Sequence, residues 1–420
     1  MLLLMFPKYS ETFITGEVRR LRRRGLDVRP VAIVRSRDAE GLTDNETLAR
    51  LRQVEGLSPH YLSDRQRCSL PPRLAALSEA LRNPVAAVRL VVENARLPVI
   101  APWPKRGRLL MTLLLRRWMV REGVTQLHCH WTLPTDIALL LKSVFGTPFS
   151  MSAHAADIYD DPNQTGLGPL RRKLREAEFV VTCTPTNRTY LAGLVPECAS
   201  KIQTVYHGVD LGLFDGRRSP ARDRLPLILS VGRLVDEKRF SVLLHACRYA
   251  LNAGTELRCV IVGEGPERRE LEAMRDALEL RQQVQFVGAL GPEKVRDWLS
   301  RADLFVLTPD TRTHYGIPNV FFEAMAMGVP VLSNRLPGID EVLGYGVFVD
   351  TDEELCSELA RLLADRPRRE RLAAMARDLV EREFDAEMWA DRLSDLLTDA
   401  RPRLPWPLAY ERGIKERAAL

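Results

Sequence analysis

Apolar runs of strand length alternate with helical patterns through most of the 420 residues. This alternation is typical of parallel sheets wrapped by helices, because parallel strands need long crossover connections. In the first half the predicted strands are Leu2–Met5, Val28–Val34, Gln126–His130, Phe149–Ala153, Phe179–Thr182 and Gln203–Tyr206. In the second half they are Leu227–Val231, Arg258–Val262, Val284–Val287, Leu304–Leu307, Val329–Ser333 and Val347–Val349. The pattern predicts an α/β chain with two doubly wound parallel sheets.

The alternation stops between the two halves. Residues 211–226 carry glycine and proline among charged residues, which is typical of a linker. We expect an N-terminal domain over 1–208, a linker over 209–226, a C-terminal domain over 227–385, and a helix and tail over 386–420 that pack back on the N-terminal domain. Ligands of doubly wound sheets bind outside the carboxyl ends of the strands. Two Rossmann-like domains that face each other across a cleft are therefore expected.

Cysteine usage and charge exclude several classes of protein. The seven cysteines are scattered, without the Cys-x-x-Cys pair of a zinc or redox site, as is typical of a reducing cytoplasm. The net charge of +6 is modest, and no nucleic-acid-binding module is recognisable. No apolar run approaches the roughly 20 residues that cross a bilayer. We expect a cytoplasmic protein that binds no nucleic acid.

Arginines are concentrated in the first domain. They are Arg19, Arg20, Arg22, Arg23, Arg24, Arg106, Arg108, Arg116, Arg117 and Arg121. A basic patch can hold a protein against anionic lipid, so peripheral contact with the inner membrane face is one interpretation. The other is a solvated helix face that serves only solubility.

The strongest candidate site follows the strand that ends at Val231. Arg233 and Lys238 lie five residues apart across the next turn, so both cations can converge on one anion. A diphosphate suits them, because each charge-assisted contact contributes about 1.5–3 kcal/mol. The alternative is a surface basic pair beside Asp236 and Glu237.

A second candidate is the segment Gly263-Glu264-Gly265-Pro266, which follows another predicted strand. Its glycines allow a backbone to approach a ligand closely. The segment is not a dinucleotide fingerprint, because the third glycine is missing, and a nicotinamide enzyme is therefore disfavoured. A plain strand-to-helix turn would have the same composition.

A third candidate is the segment that runs from Tyr315 to Gly328. Gly316 frees the backbone before a short apolar helix, which Asn319 is expected to cap. Glu323 is then a single carboxylate in an otherwise apolar helix. Burial of an unpaired carboxylate is costly, so we expect a partner. The partner is either the hydroxyl pair of a ribose or an arginine in a structural ion pair.

In the first domain, His154 follows the apolar strand Phe149–Ala153 and so lies at the carboxyl end of that strand. Its imidazole could donate to a sugar hydroxyl or a phosphate. A structural histidine is the alternative, and His128, His130 and His207 are similar candidates. His128 and His130 share one face of a strand, but the sequence offers no apparent third ligand for a metal.

Seven segments resemble, in the expected order, the motifs of glycosyltransferase family 4, whose retaining GT-B enzymes build bacterial polysaccharides and glycolipids. The segments are Phe6–Ile14, His128–Trp131, Ser152–Asp157, His207–Asp210, Gly232–Lys238, Val262–Pro266 and Gly316–Gly328. The first of them is similar to the exopolysaccharide and colanic-acid branch of the family. The resemblance extends over most of the chain.

The resemblance implies a role for each main candidate. Arg233 and Lys238 would hold the donor diphosphate and offset the charge that develops on the leaving group, so that no metal or other cofactor is needed. Glu323 would bind the ribose, and Val287 would lie beside the base. His154 would contact the donor sugar.

The resemblance also implies substrates and further donor-binding residues. The substrates would be a UDP or GDP sugar and a saccharide or lipid-linked acceptor. Retention would follow from reaction on one face of the sugar, with the leaving phosphate helping to deprotonate the acceptor. The further residues are Glu264, Tyr315, Gly316 and Ile317 in the second domain and Ser10, Glu11 and Thr12 in the first.

Tyr315 departs from the family pattern, because the first glutamate of the Glu-x7-Glu motif would fall at this position. A phenol is uncharged at neutral pH and can both donate and accept a hydrogen bond. Loss of the carboxylate removes repulsion toward an anionic sugar, so one hypothesis is that a uronic acid donor is tolerated. The alternative is that Tyr315 only packs. The first strand is also short for the family, which fits a start upstream of Met1.

Two other functions share these residues. A degenerate protein of the same fold would bind a sugar nucleotide without catalysis, which fits the missing glutamate at position 315. An epimerase or hydrolase of the GT-B fold is the other alternative.

Overall fold

The computed structural model describes residues 1–6, 11–34, 59–62, 71–98, 105–154, 157–159, 166–219, 225–312 and 316–398. These residues form two compact units. The first contains residues 1–205 together with the last helix from Ala390 onward, and the second contains Tyr206–Trp389. Each unit is a parallel sheet with flanking helices, so the two-domain α/β architecture predicted from the sequence is confirmed.

The first unit is built on a seven-stranded parallel sheet with the order β3-β2-β1-β4-β5-β6-β7. The strands are β1 (Leu2–Met5), β2 (Val31–Val34), β3 (His60–Tyr61), β4 (Leu127–His130), β5 (Phe149–Ala153), β6 (Val180–Thr182) and β7 (Ile202–Thr204). The helices described in this unit are α1 (Thr12–Arg23), α2 (Pro72–Arg82), α3 (Pro84–Arg96), α4 (Lys105–Glu122), α5 (Thr132–Phe145), α6 (Leu167–Glu176) and α7 (Pro185–Leu194). A 3-10 turn at Pro196–Lys201 precedes β7.

The second unit is built on a six-stranded parallel sheet with the order β10-β9-β8-β11-β12-β13. The strands are β8 (Leu227–Val231), β9 (Arg258–Val262), β10 (Val284–Phe286), β11 (Leu304–Leu307), β12 (Val331–Asn334) and β13 (Val347–Val349). The helices that follow them are α8 (Phe240–Asn252), α9 (Arg268–Ala277), α10 (Pro292–Leu299), α11 (Asn319–Ala326), α12 (Ile339–Val342), α13 (Asp352–Ala364), α14 (Arg366–Glu383) and α15 (Ala386–Thr398).

Buried side chains hold the central strands of each sheet. In the first unit Leu2 pairs with Cys129 across β1 and β4, and Cys129 pairs with Met151 across β4 and β5. All three side chains are fully buried. Central strands of this kind read as continuous apolar runs, because helices cover both faces of a parallel sheet.

Both sheets follow the Rossmann strand order, which reverses direction at one point. The reversal lies between β1 and β4 in the first unit and between β8 and β11 in the second. The carboxyl ends of these strands are where doubly wound sheets bind ligands. The loops that follow β1 and β4 and those that follow β8 and β11 are therefore the expected ligand-binding loops.

One strand was not predicted, and the region after it is helical. β3 contains only two residues and pairs with β2 through His60 and Tyr61, so it has no apolar run to reveal it. Pro72 and Pro84 stand at the first positions of α2 and α3. Proline suits this position because its missing N–H would be unsatisfied there anyway. These prolines begin helices instead of interrupting them.

The described residues that follow the first sheet, from Tyr206 onward, pack against the second unit. Val209 forms a parallel bridge with Asp385, and the ring centroids of Tyr206 and Phe384 lie 4.9 Å apart. Phe214 is buried in the same apolar core. The change of unit therefore comes between residues 205 and 206, ahead of the segment expected to act as a linker.

The end of α15 packs within the first unit. Arg24 Nε lies 2.6 Å from Asp391 Oδ1, and Gln126 Nε2 donates to the Leu397 carbonyl at 3.2 Å. Arg392 also donates to the side chain of Gln203. These contacts fix the last described turns of the chain against α1, β4 and β7.

Several arginines of the predicted basic patch have structural partners. Arg20 and Arg108 are buried, with 7% and 2% of their surface exposed. Arg108 pairs with the buried Asp136 at 3.1 Å, Arg24 pairs with α15, and Arg117 donates to Ser78. These arginines therefore cannot all belong to one exposed surface, and contact of the remaining ones with anionic lipid stays a prediction. None of the helices in the described ranges is long and apolar enough to cross a membrane.

Candidate functional site

Backbone hydrogen bonds connect the loops after four strands of the second sheet, at the point where the strand order reverses. Four amide-to-carbonyl bonds make the connections: Gly232 to Val262 (3.0 Å), Leu234 to Glu264 (2.9 Å), Gly263 to Gly288 (2.9 Å) and Asp310 to Glu237 (2.9 Å). Because each amide is paired with a neighbouring loop, the loops hold one another in place. Side chains carried by this assembly are consequently well positioned for a ligand.

Two glycines allow the β8 and β9 loops to touch. Gly263 has a φ of +151°, and a Cβ there would collide with the carbonyl oxygen of Gly232. A Cβ on Gly265 would collide with the carbonyl oxygen of Leu234. In this structure the glycines serve the contact between two loops, which the sequence alone could not distinguish from close approach to a ligand.

Arg233 and Lys238 both lie in the β8 loop. The Arg233 side chain is exposed and Lys238 is half-buried. Within the described part of the chain, neither side chain has a hydrogen-bond or ion-pair partner. Burial, and secondarily repulsion from Arg233, lowers the pKa of Lys238 to about 8. Attraction to Glu237 only partly offsets this shift. Two neighbouring cations that form no ion pair in the described structure make a site that favours an anion.

Thr308 fixes the backbone beside Lys238. Its hydroxyl is buried and lies within hydrogen-bond distance of the Lys238 carbonyl (3.1 Å) and the Arg239 carbonyl (2.8 Å). Thr308 follows β11, so the residue ties the first loop of the site to the strand at the reversal point. Its role cannot be predicted from the sequence, because a single threonine after a strand gives no distinctive signal.

Glu323 lies on α11, which follows β11. Burial raises the pKa of this carboxyl group to about 7. Among the described residues no hydrogen bond or ion pair reaches its side chain, so the expected alternative of a structural arginine partner is not found. A carboxyl group in this state is stabilised by any ligand that donates hydrogen bonds to it.

The segment before α11 is only partly described. Tyr315 and the hypotheses attached to it lie outside the described residues. Gly316 has a φ of +102°, and Gly316 and Ile317 are half-buried. The helix begins at Asn319, and Pro318 holds the capping position without a side-chain hydrogen bond. Asn319 is therefore the first residue of the helix, and its expected role as the cap is wrong.

Two further predicted donor-binding residues lie next to the β9 and β10 loops. Glu264 forms an ion pair with Arg268 at 2.9 Å. The guanidinium of Arg268 also lies 5.2 Å from the ring centroid of Phe286. Val287 follows Phe286 and is half-buried. Glu264 has a structural partner, in contrast to Glu323.

In the first unit, His154 lies after β5 among aromatic rings. Only 5% of its surface is exposed. Its ring centroid lies 4.1 Å from the Trp131 ring and 5.6 Å from the Phe13 ring. Phe13 belongs to the first turn of α1, directly after Glu11 and Thr12. The structure therefore brings the start of α1 to His154, whereas Ser10 lies outside the described residues.

A chain of hydrogen bonds connects His154 to a carboxylate. His154 Nε2 lies 3.2 Å from His130 Nδ1, and His130 Nε2 lies 2.9 Å from Glu17 Oε1. The carboxylate accepts, so His130 Nε2 carries a proton. Where His130 Nδ1 carries no proton, it accepts from His154 Nε2–H. Glu17 is thereby connected to His154 through His130, and the sequence gives no local signal of this because Glu17 and His130 are 113 residues apart.

His128 belongs to a separate set of hydrogen bonds. Its two ring nitrogens lie 2.8 Å from the Ser150 hydroxyl and 2.9 Å from the Ser152 hydroxyl. Burial, and secondarily repulsion from His130, lowers the pKa of His128 to about 3. The ring is therefore neutral, and its role is to hold β4 against β5.

Glu17, His128 and His130 are close enough together to be considered as metal ligands, since their ligand atoms lie within 4.8 Å of one another. Both ring nitrogens of each histidine already have a protein partner. A metal ion would have to displace several of these hydrogen bonds. The geometry fits a hydrogen-bonded network better than a metal centre.

Trp131, which contacts His154, has an unusual backbone conformation. Its φ is +73° and its ψ is 154°, a region that non-glycine residues rarely adopt. Such a conformation costs about 1–3 kcal/mol and is typical of functional sites. The Trp131 amide donates to the Ser152 carbonyl at 3.0 Å, and the next amide, from Thr132, donates to Asp157 at 2.8 Å. These bonds hold the indole against His154.

Two family models match the chain, one after the other. The model described as Glycosyltransferase Family 4 matches residues 10–213. The model described as Glycosyl transferases group 1 matches residues 215–379. Together they cover most of the sequence.

Curated relatives carry related names. WcaL of Salmonella typhimurium, named for a suspected role as a colanic acid biosynthesis glycosyltransferase, is 32% identical over 215 residues, which are 49% of this chain and 52% of WcaL. The alpha-D-kanosaminyltransferase of Streptomyces kanamyceticus is 26% identical over 348 residues, which are 73% of this chain and 89% of that protein. The chain therefore spans about half the length of the first relative and most of the second.

Solved structures share the fold at low sequence identity. Sucrose-phosphate synthase from Thermosynechococcus elongatus has a TM-score of 0.69 at 18% identity, and the similarity covers 94% of this chain and 98% of that one. HepE from Anabaena, solved in complex with UDP, has a TM-score of 0.66 at 15% identity and covers 94% and 99%. The chain thus belongs to glycosyltransferase family 4 and has the GT-B fold with two Rossmann-like domains.

Proposed function

We propose that this chain is a retaining, metal-independent glycosyltransferase that uses a nucleotide-diphosphate sugar. Its donor is a UDP or GDP sugar, and its acceptor is a saccharide or a lipid-linked saccharide of bacterial cell-surface polysaccharide or glycolipid synthesis. One observation carries this proposal. Arg233, Lys238 and Glu323 are charged groups without partners in the described structure, and all belong to loops or helices that follow β8 and β11.

The charges of these three residues match the parts of a nucleotide diphosphate. Two cations meet the negative diphosphate, and Glu323 accepts hydrogen bonds from the two ribose hydroxyls. The lowered pKa of Lys238 and the raised pKa of Glu323 both result from burial in the absence of a ligand. A nucleotide diphosphate reverses both penalties. HepE, whose fold is similar, is solved with UDP, which supports a uridine donor.

The proposed reaction breaks the bond between the anomeric carbon and the diphosphate oxygen. The acceptor oxygen forms the new bond on the same face of the sugar, and its proton passes to the leaving phosphate. Arg233 and Lys238 stabilise the negative charge that grows on the diphosphate as this bond breaks. Charge stabilisation of this kind accounts for the absence of a metal requirement.

For the first unit we propose that His154 contacts the donor sugar. Contact with the Trp131 ring, which is tilted by 39° at a centroid distance of 4.1 Å, restricts the imidazole, and the Glu17–His130 pair selects its tautomer. Glu11 and Thr12 lie at the start of α1, whose Phe13 contacts His154, and are proposed to line the same site. A lipid-linked acceptor would place the protein at the cytoplasmic face of the inner membrane.

A binding screen tests the proposal directly. UDP, GDP, ADP and their sugars are added to the purified protein, and thermal unfolding is followed. A nucleotide at 100 times its Kd should stabilise the protein by about 2.7 kcal/mol. Arg233→Ala should lose this effect, whereas Arg269→Ala, which removes an exposed arginine from α9, should keep it.

A turnover assay with the nucleotide sugars that bind separates the proposal from the degenerate alternative. A non-catalytic protein would show stabilisation by a nucleotide sugar and no transfer or hydrolysis of that sugar over long incubation with membrane extracts as the source of acceptor. No stabilisation by any of the nucleotides would contradict both.

A further inference from the structure

The helices α2 and α3 carry most of the exposed large apolar side chains. Of the twelve such residues in the described part of the chain, seven lie between positions 74 and 92. They are Leu74, Leu77, Leu81, Val85, Val88, Val91 and Val92, and the most exposed are Leu81 (71%) and Val85 (69%). Exposed apolar side chains concentrated in two consecutive helices mark an interaction site more often than scattered apolar residues do.

These residues form one stripe on each helix. Leu74, Leu77 and Leu81 are spaced by three and four residues, which places them on one face of α2. Val85, Val88 and Val92 have the same spacing on α3. We call these six residues and Val91 the hairpin face. Each helix therefore has two apolar sides, because its other side is already occupied.

The inner sides of the two helices are packed. Ala75 and Ala76 of α2 are buried where this helix contacts α4. Ala86 and Leu90 of α3 are buried where it contacts α4 and α5. The hairpin face is thus additional to the apolar residues that the fold needs.

Arginines border the hairpin face. On a helical projection Arg73 and Arg82 lie on the two margins of the α2 stripe, and Arg89 and Arg96 lie on one margin of the α3 stripe. All four are exposed. Arginines in this arrangement can extend to lipid phosphates while apolar neighbours enter the acyl region.

Acidic groups do not oppose such a contact. The only carboxylates of α2 and α3 are Glu79 and Glu93, and both are largely covered. Glu79 pairs with Arg82, and Glu93 pairs with Arg96 and with Arg172. The charge at the border of the hairpin face is therefore positive. A positive border complements the negative headgroups of an anionic lipid bilayer.

We propose that the hairpin face is a membrane-docking surface that inserts its leucines and valines into the interface of an anionic bilayer. This differs from the expectation of a basic patch, because apolar insertion and not charge supplies the larger part of the binding. The purpose of such docking rests on the proposed lipid-linked acceptor. The docking itself does not, so binding to vesicles can be measured without any turnover.

The test uses the full-length protein and sucrose-loaded vesicles of phosphatidylcholine, with or without phosphatidylglycerol. The parent should sediment with vesicles that contain phosphatidylglycerol. The combined variant Leu77→Ser, Leu81→Ser, Val88→Ser, Val92→Ser should lose at least about tenfold in partition coefficient, also at high salt. Arg73→Gln with Arg89→Gln should lose binding only at low salt, because exposed charges are screened.

A matched control removes exposed apolar side chains elsewhere. Tyr249→Ser, Met375→Ser and Met388→Ser change residues of the second unit and should bind vesicles as the parent does. Unchanged binding by the four-serine variant would overturn the proposal. A parent that is dimeric without vesicles, becomes monomeric through the four serines and does not bind vesicles would also overturn it, since the occupant would be a second copy.

A second measurement does not require that the protein still folds with four serine substitutions. Leu81→Trp adds an indole at the most exposed position of the hairpin face. Its added fluorescence should shift to the blue with anionic vesicles and be quenched by brominated acyl chains. Emission that stays unchanged on addition of vesicles would contradict insertion. Sugar transfer to a soluble acceptor should be the same in all these variants, which separates failure of docking from failure of the proposed function.

Discussion

The two candidate groups of site residues differ in how their polar side chains are satisfied. In the second unit Arg233, Lys238 and Glu323 have no partner in the described structure. In the first unit both ring nitrogens of His128 and of His130 are hydrogen-bonded, and His130 connects Glu17 to His154. One group has charges without a partner, for which a ligand is needed, whereas the other is a finished hydrogen-bonded network.

This difference teaches what each group can contribute. The partly buried, unpaired charges of Lys238 and Glu323 raise the free energy of the ligand-free protein, and a complementary ligand removes this cost. The exposed Arg233 adds attraction for the same anion. A finished network gains little from a ligand, but it fixes the direction and protonation of one side chain. We therefore expect the second unit to supply binding energy and charge stabilisation, and the first unit to supply orientation.

The largest effect should come from removal of the two cations. Arg233→Ala or Lys238→Ala should lower kcat/KM by about 10²–10³-fold, because the charge that develops on the leaving diphosphate loses its stabilisation. The Tm without ligand should not fall, since neither side chain has a partner to lose. Arg269→Ala serves as the matched control. Retained activity in both variants would refute the assigned roles.

Glu323→Gln should separate binding from stability. In the folded protein the pKa of Glu323 is about 7, above the ordinary value of 4.5. Below about pH 4.5 the carboxyl group is protonated in both the folded and the unfolded state, so it does not change the free energy of unfolding. Above pH 7 it is charged in both states, and its burial then lowers the free energy of unfolding most. The variant should therefore be more stable than the parent at pH 8, by at most about 3 kcal/mol, and equally stable at pH 4.

Denaturant unfolding at these two pH values measures that difference. Nucleotide affinity should fall about 10–100-fold in Glu323→Gln, because a charged hydrogen-bond acceptor is lost. A variant that is less stable than the parent at pH 8 would show that Glu323 has a stabilising partner and would break the contrast between the two groups.

The network in the first unit predicts a smaller effect. Glu17→Met removes the acceptor that selects the tautomer of His154, so kcat should fall about tenfold with little change in donor KM. Nitrogen-15 NMR should show a single Nε2–H tautomer for His154 in the parent and a mixture in Glu17→Met. Glu17→Gln keeps an acceptor and should restore both results. A single unchanged tautomer in Glu17→Met would show that Glu17 does not act through His130.

Removal of metal ions should have the smallest effect, because we expect no change in turnover. Turnover should survive excess EDTA, because Arg233 and Lys238 supply the positive charge and the Glu17, His128 and His130 group is already hydrogen-bonded. Activity is compared before and after chelation and dialysis. Loss that magnesium, manganese or zinc reverses would overturn the metal-independent mechanism.

The sequence predicts the sheets well for a physical reason. β8, β9 and β11 are apolar runs covered by helices on both faces, so their residues appear as continuous runs in the sequence. β3 has two residues and gains its place only by pairing with β2. A strand can thus be predicted from the sequence when its own residues are buried and apolar. A strand that forms only by pairing with its neighbour cannot be predicted in this way.

Site residues show the same limit. Arg233, Lys238 and Glu323 are recognisable because each carries charge where an apolar or glycine-containing segment surrounds it. Glu17 and Thr308 are not, because their importance lies in contacts with residues distant in sequence. The two stripes of the hairpin face are hard to recognise in the sequence for another reason, since prolines at the starts of α2 and α3 obscure the helical period.

The contact between Gly263 and Gly232 restricts which loop sequences this protein can accept. Because the two loops touch without room for a side chain, they must vary together, and a transplanted β9 loop would displace the arginine and lysine of its neighbour. The β10 loop is tied to the same pair, because the Gly263 amide donates to the Gly288 carbonyl at 2.9 Å. Changes intended to alter the choice of nucleotide should therefore begin with the side chain of the half-buried Val287 and leave the backbone of these three loops intact.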